Sequence, residues 1–172
     1  MTRFAVIVAI AASCVTFSTA FAQGSANHTF AFNAQDISGF PSGAVSLTGG
    51  GTFDAATGFI HAGGSFSCTR DIDQGPLAGC KAGEGIRWDS AEIVSSFGIK
   101  CSGALSEPAK LAVTGNTAIV LKADFYRAGD GTHESFTANM VVSSVDLDPA
   151  QPGVQNIWIQ GVGCGEANVT FQ

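Results

Sequence analysis

Three histidines, 14 carboxylates and five cysteines are the side chains of this chain with the chemistry for proton transfer, metal binding or redox work. A histidine can serve as base to a serine nucleophile, and His28, His61 and His133 are the three available. The chain has no G-x-S-x-G elbow, and His133-Glu134 is not followed by x-x-His, so the serine-hydrolase and zincin patterns are both missing. Asp71/Asp73 and Asp146/Asp148 are D-x-D pairs of the kind calcium uses, but neither continues with the glycine and terminal glutamate of an EF-hand loop. Gly161-Val-Gly-Cys-Gly165 has dinucleotide-loop glycines, yet Asn168-Val-Thr-Phe171 ends the chain as a strand where a phosphate-binding helix is required. These residues lead to no catalytic assignment and no expected metal or cofactor.

The cysteines say more. Arg3 followed by an apolar stretch from Phe4 to Phe17 and an A-x-A site at Ala20-Phe21-Ala22 is the pattern of a secretory signal peptide. That stretch is shorter than the roughly 20 residues of a membrane span, so no transmembrane segment is expected. Ala11-Ala12-Ser13-Cys14 is a competing lipoprotein site, disfavoured because the leucine three residues before Cys14 is missing and the apolar run continues past it. Cleavage after Ala22 leaves residues 23–172 and four cysteines: Cys68, Cys80, Cys101 and Cys164. An even number in an exported chain predicts two disulfides, and the spacing offers no C-x2-4-C zinc pair. Of the three pairings, Cys68–Cys80 with Cys101–Cys164 is preferred; the longer closure is then worth about 4 kcal/mol and the shorter about 3 in the chain-entropy picture.

The elements that must position these groups follow from period-two alternation. His28–Asn33 alternates around Phe30 and Phe32, and Ala44–Thr48 around Val45 and Leu47. After Gly49-Gly50-Gly51 the pattern resumes at Thr52–Asp54, turns over Ala55–Gly58, and continues through Phe59–His61 and Ser65–Cys68. Thr117–Tyr126 and Glu134–Val142 flank Gly129-Asp130-Gly131 as a hairpin, while Ala112-Val113, Gln155–Gln160 and Asn168–Phe171 complete eight to ten strands. Asp89-Ser-Ala-Glu92 resembles a capping box ahead of Ile93, Val94 and Phe97, so a two-turn helix and a strand both fit there. The expectation is an all-β chain: residues 1–22 as signal, then one antiparallel barrel-like or sandwich domain over 23–172. All 22 glycines fall in that domain, about twice the usual share, and many sit inside strand-like runs, which suits a curved barrel wall.

A net charge of -6 excludes a basic nucleic-acid binder, and 45% hydrophobic with 13% charged residues excludes disorder. Trp88, Tyr126 and Trp158 would line an apolar cavity, with His61 and His133 beside it, if the barrel were hollow. The segments Gly49–Gly58, Phe125–Gly131, Glu134–Ala138 and Pro152–Gly165 resemble small exported bacterial proteins of uncharacterised function. The resemblance implies export and carries over no activity or site residue. Three functions are compatible with these features. The first is a secreted or periplasmic non-catalytic domain binding a small apolar ligand or an extracellular partner. The second is a small hydrolase or isomerase with His61 or His133 as base, and the third an inhibitor that displays the Cys68–Cys80 loop.

Overall fold

Strands whose side chains alternate between apolar and polar bury one face, and here the alternation is long enough to close a sheet on itself. The computed structural model describes residues 27–172 and contains, among them, ten strands and no helix. They are β1 (His28–Gly39), β2 (Ala44–Asp54), β3 (Phe59–Arg70), β4 (Arg87–Val94), β5 (Ser96–Ile99), β6 (Lys110–Val113), β7 (Ala118–Tyr126), β8 (Phe136–Ser143), β9 (Ile157–Ile159) and β10 (Gly163–Phe171). Eight of them form a closed antiparallel barrel in the order β1-β10-β9-β8-β7-β4-β3-β2, so the barrel alternative holds and the sandwich does not. β5 and β6 make a separate two-stranded sheet on an arm that leaves the barrel after β4 and returns at β7. Cys14 and the cleavage site at Ala20–Ala22 lie outside the described residues.

The register corrects one expectation, decides one left open and bears out a third. Gly49-Gly50-Gly51 does not interrupt a strand: β2 runs through it and pairs with β3 as Gly49↔Gly64, Gly50↔Gly63 and Gly51↔Ala62. Asp89–Glu92 caps no helix, because Trp88, Ile93 and Val94 pair with Phe125, Leu121 and Val120 of β7, with a bulge between Ser90 and Glu92. β7 and β8 form the expected hairpin through a connection that contains Gly129-Asp130-Gly131. That connection spans residues 127–135, where the Asp130 carboxylate accepts the Ser135 hydroxyl at 2.6 Å and Ser135 Oγ accepts the Arg127 amide at 2.9 Å.

The barrel interior is filled. Phe30, Phe32, Leu47, Phe53, Phe66, Leu121, Phe125, Met140 and Ile159 point inward and are buried, and Trp88 lies among them with none of its surface exposed. The indole stands over β2 and β3, where a Cβ on Gly49 would come within 2.6 Å of the Trp88 ring. A Cβ on Gly64 would land on the Thr48 carbonyl oxygen and within 2.5 Å of the Gly49 Cα. With both side chains absent the indole reaches the backbone and its N–H donates to the Thr48 carbonyl at 2.9 Å.

The Cys68–Cys80 bridge is formed, and its loop folds inward. Ile72 and Leu77 are fully buried in the barrel core, while the Gln74 amide nitrogen donates to the Ser42 and Gly161 carbonyls at 2.7 and 3.0 Å. The loop is a cap on the barrel, not a protruding display. A second apolar cluster lies outside the wall, where Ile99, Ala112 and Phe97 of the arm cover Val120, Val141 and Trp158.

Replacing Gly64 by Ala forces β2 and β3 apart and is expected to cost about 2–3 kcal/mol by denaturant unfolding. Gly115→Ala, where a Cβ meets nothing within 4 Å, stays within about 0.5 kcal/mol of the parent. Equal losses at the two positions would refute the role given to the glycine pair.

Candidate functional site

The five side chains placed around a hypothetical cavity are not gathered into one. Trp88 fills the interior, whereas Trp158 faces out of β9 beneath the arm and donates its N–H to the Lys100 carbonyl at 2.8 Å. Tyr126 ends β7 with the Arg87 guanidinium 3.8 Å over its ring. His61 is exposed on the outer side of β3, beside a shallow depression floored by Gly50 and Gly63 and edged by Arg87 and Asp89. His133 is exposed in the β7–β8 loop. The cavity expectation fails because the inward positions hold large side chains in successive layers, leaving Trp88 as filling and the others outside. Among the described residues the ion pairs are made by lysine and arginine, so neither His61 nor His133 has a carboxylate to orient it as a base.

The acidic pairs also part. Asp71 is exposed, and the Ala82 backbone amide and then Lys81 hold its carboxyl below the usual range. Asp148 is buried and receives the Lys110 ammonium at 2.7 Å, and Lys110 also lies 3.4 Å from Glu107. Glu107 accepts the Cys101 and Ser102 amides at 2.6 and 2.8 Å and the Ser102 hydroxyl at 2.6 Å. Although Cys101, Glu107 and Asp148 converge closely enough to suggest a metal, Cys101 is consumed by its bridge to Cys164 and the Lys110 ammonium already sits between the carboxylates. The cluster is a structural knot. Burial pushes the Glu107 carboxyl up, but the hydrogen bonds from Ser102, Cys101 and Lys110 outweigh it and hold the pKa at about 2, against an ordinary 4.5.

What the strands do assemble is an open groove of about 330 Å³ on the outside. Phe40 from the β1–β2 turn, Pro76 from the bridged cap, Phe97 from the arm and Trp158 from β9 form its predominantly apolar walls. Lys100 and Gln160 supply polar groups at its margin. Phe97 and Trp158 face each other with ring centroids 5.6 Å apart, tilted by 39°. Only Trp158 of this set was marked in the sequence. Pro76 lies within the Cys68–Cys80 loop and Phe97 in the segment open to helix or strand, and no local signal joins positions 40, 76, 97 and 158. Ile157 and Ile159 enter the interior cluster and Trp158 between them the outer one, so alternation about the indole was a signal against setting it in the cavity.

Compared with known proteins, the chain matches no family model, and no curated protein and no solved structure is significantly similar to it. The two disulfides fit an oxidising compartment, and among the described residues no helix is long and apolar enough to cross a membrane.

Because the Glu107 pKa is depressed on folding, its contribution to stability is present above about pH 4.5 and is lost as the pH falls toward about 2. Glu107→Gln is expected to flatten the decline of the unfolding free energy over that window. Parallel pH profiles for the two proteins, measured by urea unfolding, would contradict it.

Proposed function

We propose that this is an exported, non-catalytic binding domain that takes an envelope or extracellular protein partner on its outer surface, in the groove of Phe40, Pro76, Phe97 and Trp158. The observation that carries the reading is the filled interior: with Trp88 and its neighbours occupying the barrel, apolar concavity is offered outside it. Small-barrel ligand carriers keep their site within the wall, and here that space is taken by side chains.

Several features suit the groove to an extended segment bearing a proline or aromatic ring. Flat aromatic walls stack on such rings at little entropic cost, since Phe97 and Trp158 are already held by each other and by the Trp158–Lys100 hydrogen bond. Lys100 and Gln160 can meet backbone carbonyls and amides of the segment. Three of the four contributing elements are tied to the barrel by the cap disulfide, by the Cys101–Cys164 bridge and by the β9 ladder, so these walls are preorganised. Whether the partner is met in the periplasm or outside the cell, both disulfides are expected to be oxidised there.

Titration with a panel of proline- and aromatic-containing decapeptides, followed by Trp158 emission in a Trp88→Phe background and by calorimetry on the parent, tests the reading. Binding is expected, and Phe97→Ala should weaken it about tenfold or more, the scale of an interface anchor. Binding untouched by Phe97→Ala, or stoichiometric uptake of an apolar dye by the native barrel interior, would overturn it.

A further inference from the structure

The two disulfides are built into different surroundings. Cys68 and Cys80 have no exposed surface and belong to the barrel core. Cys101 and Cys164 retain 6% and 4% exposure and both line an open polar pocket of about 300 Å³, with Asp36, Ser38, Gln155 and Glu166. A thiol reductant in solution has a path to this bridge and none to the other without unfolding the barrel.

What the bridge holds is also particular. The arm, residues 95–117, pairs its two strands with each other and not with the barrel. Its other ties include the apolar cluster around Ile99 and Trp158, the Trp158–Lys100 hydrogen bond, the Thr114 hydroxyl between Val94 and Val120, the Lys110–Asp148 pair and, at its return to β7, the Thr117 carbonyl accepting from Ser143 and Ser144. Cys101 sits just beyond β5 and Cys164 on β10, so the bridge pins the far part of the arm to the wall. The eight-strand ladder of the barrel passes through none of the arm residues. An element with its own closed ladder and few ties is the kind that opens below the global unfolding free energy.

We propose that Cys101–Cys164 is a reducible latch: a dithiol opens it in the folded protein ahead of Cys68–Cys80, releasing the arm while the barrel stays closed. One thiolate of the dithiol attacks a sulfur of the bridge and expels the other cysteine as a thiolate, leaving a mixed disulfide. The second sulfur of the dithiol then displaces the protein sulfur. The dithiol is oxidised to its cyclic disulfide, the bridge is reduced, and the two thiol protons finish on Cys101 and Cys164. Phe97, Gly98 and Lys100 belong to the arm, so release dismantles one wall of the groove. That consequence rests on the groove reading; the latch itself does not.

The test treats the oxidised, folded protein with dithiothreitol in the absence of denaturant, quenches with iodoacetamide at intervals, and maps the alkylated cysteines by mass spectrometry. Cys101 and Cys164 are expected to be modified at least about tenfold faster than Cys68 and Cys80. In the same interval the far-UV circular dichroism of the sheet persists and brief trypsin treatment begins to cut after Lys100 and Lys110. In a Trp88→Phe protein the Trp158 emission moves to the red, and the tryptic readout on the parent stands if that variant does not fold. Reduction of both bridges together, reduction of Cys68–Cys80 first, loss of the sheet signal in the same step, or an arm that stays protected after its bridge opens would each overturn the latch. A failed peptide titration with these results intact would remove the groove and leave the latch standing.

Discussion

An indole inside an eight-stranded barrel needs room for its ring and an acceptor for its N–H; Gly49 leaves the room and the neighbouring Thr48 carbonyl is the acceptor. Gly49 and Gly64 face each other across β2 and β3; the Trp88 ring lies where a Cβ on Gly49 would be, and a Cβ on Gly64 would strike the Thr48 carbonyl that accepts the indole N–H. Burying a tryptophan removes about 150–250 Å² from water, worth roughly 4–6 kcal/mol at most. Two glycines within strands cost about 0.5–1 kcal/mol each, so the ring outweighs its seat. The hydrogen bond to the Thr48 carbonyl then removes the penalty of a polar N–H in an apolar interior. Phe32 packs on the same indole, and Phe125 pairs with Trp88 across β4 and β7, so both walls of the barrel meet at this one side chain.

With the interior committed to side chains, the chain spends its remaining order on the outside. The arm brings few strand contacts to the barrel, and it is held by unlike forces placed close together. A disulfide, a partly exposed ammonium shared by two carboxylates and an apolar cluster meet around Cys101. Lys110 between Glu107 and Asp148 has neutralising company on both sides, which a buried carboxylate such as Asp148 requires. The cap works by different means: Ile72 and Leu77 enter the core directly, and the Gln74 amide fastens the loop to Ser42 and Gly161.

Alternation made most of the barrel legible in the sequence, because inward and outward positions differ along the first half of β1 and the last parts of β7 and β10. The turn at Ala55–Gly58 follows from local spacing, parity gives two bridges, and the preferred one of the three pairings is the one formed. What the sequence hid is what depends on partners far along the chain. The triple glycine reads as a break until β3 is known to place Gly63 and Gly64 opposite, since two facing glycines let a ladder continue where one alone suggests a bend. Glu107 and Lys110 stand three apart and were visible as neighbours, but Asp148 lies 38 residues from Lys110 and gives no local sign of burial. The groove was the least legible of all, as it joins a turn, a bridged loop, an arm and a short strand.

That distribution bears on where function resides. In a barrel whose lumen is filled, the wall cannot be altered for a ligand without disturbing the layers that hold Trp88, so variation inside is costly. The turn at Phe40, the cap at Pro76 and the arm at Phe97 contribute to the groove from outside the strand ladder, and changes there leave the register of the barrel intact. A rigid closed sheet with recognition moved to its connections separates stability from binding, the same division that places binding loops on other β scaffolds. The arm sharpens this division further. It is the one groove wall anchored by a partly exposed disulfide, so the surface proposed to take a partner is also the one proposed to answer to the redox state of its surroundings.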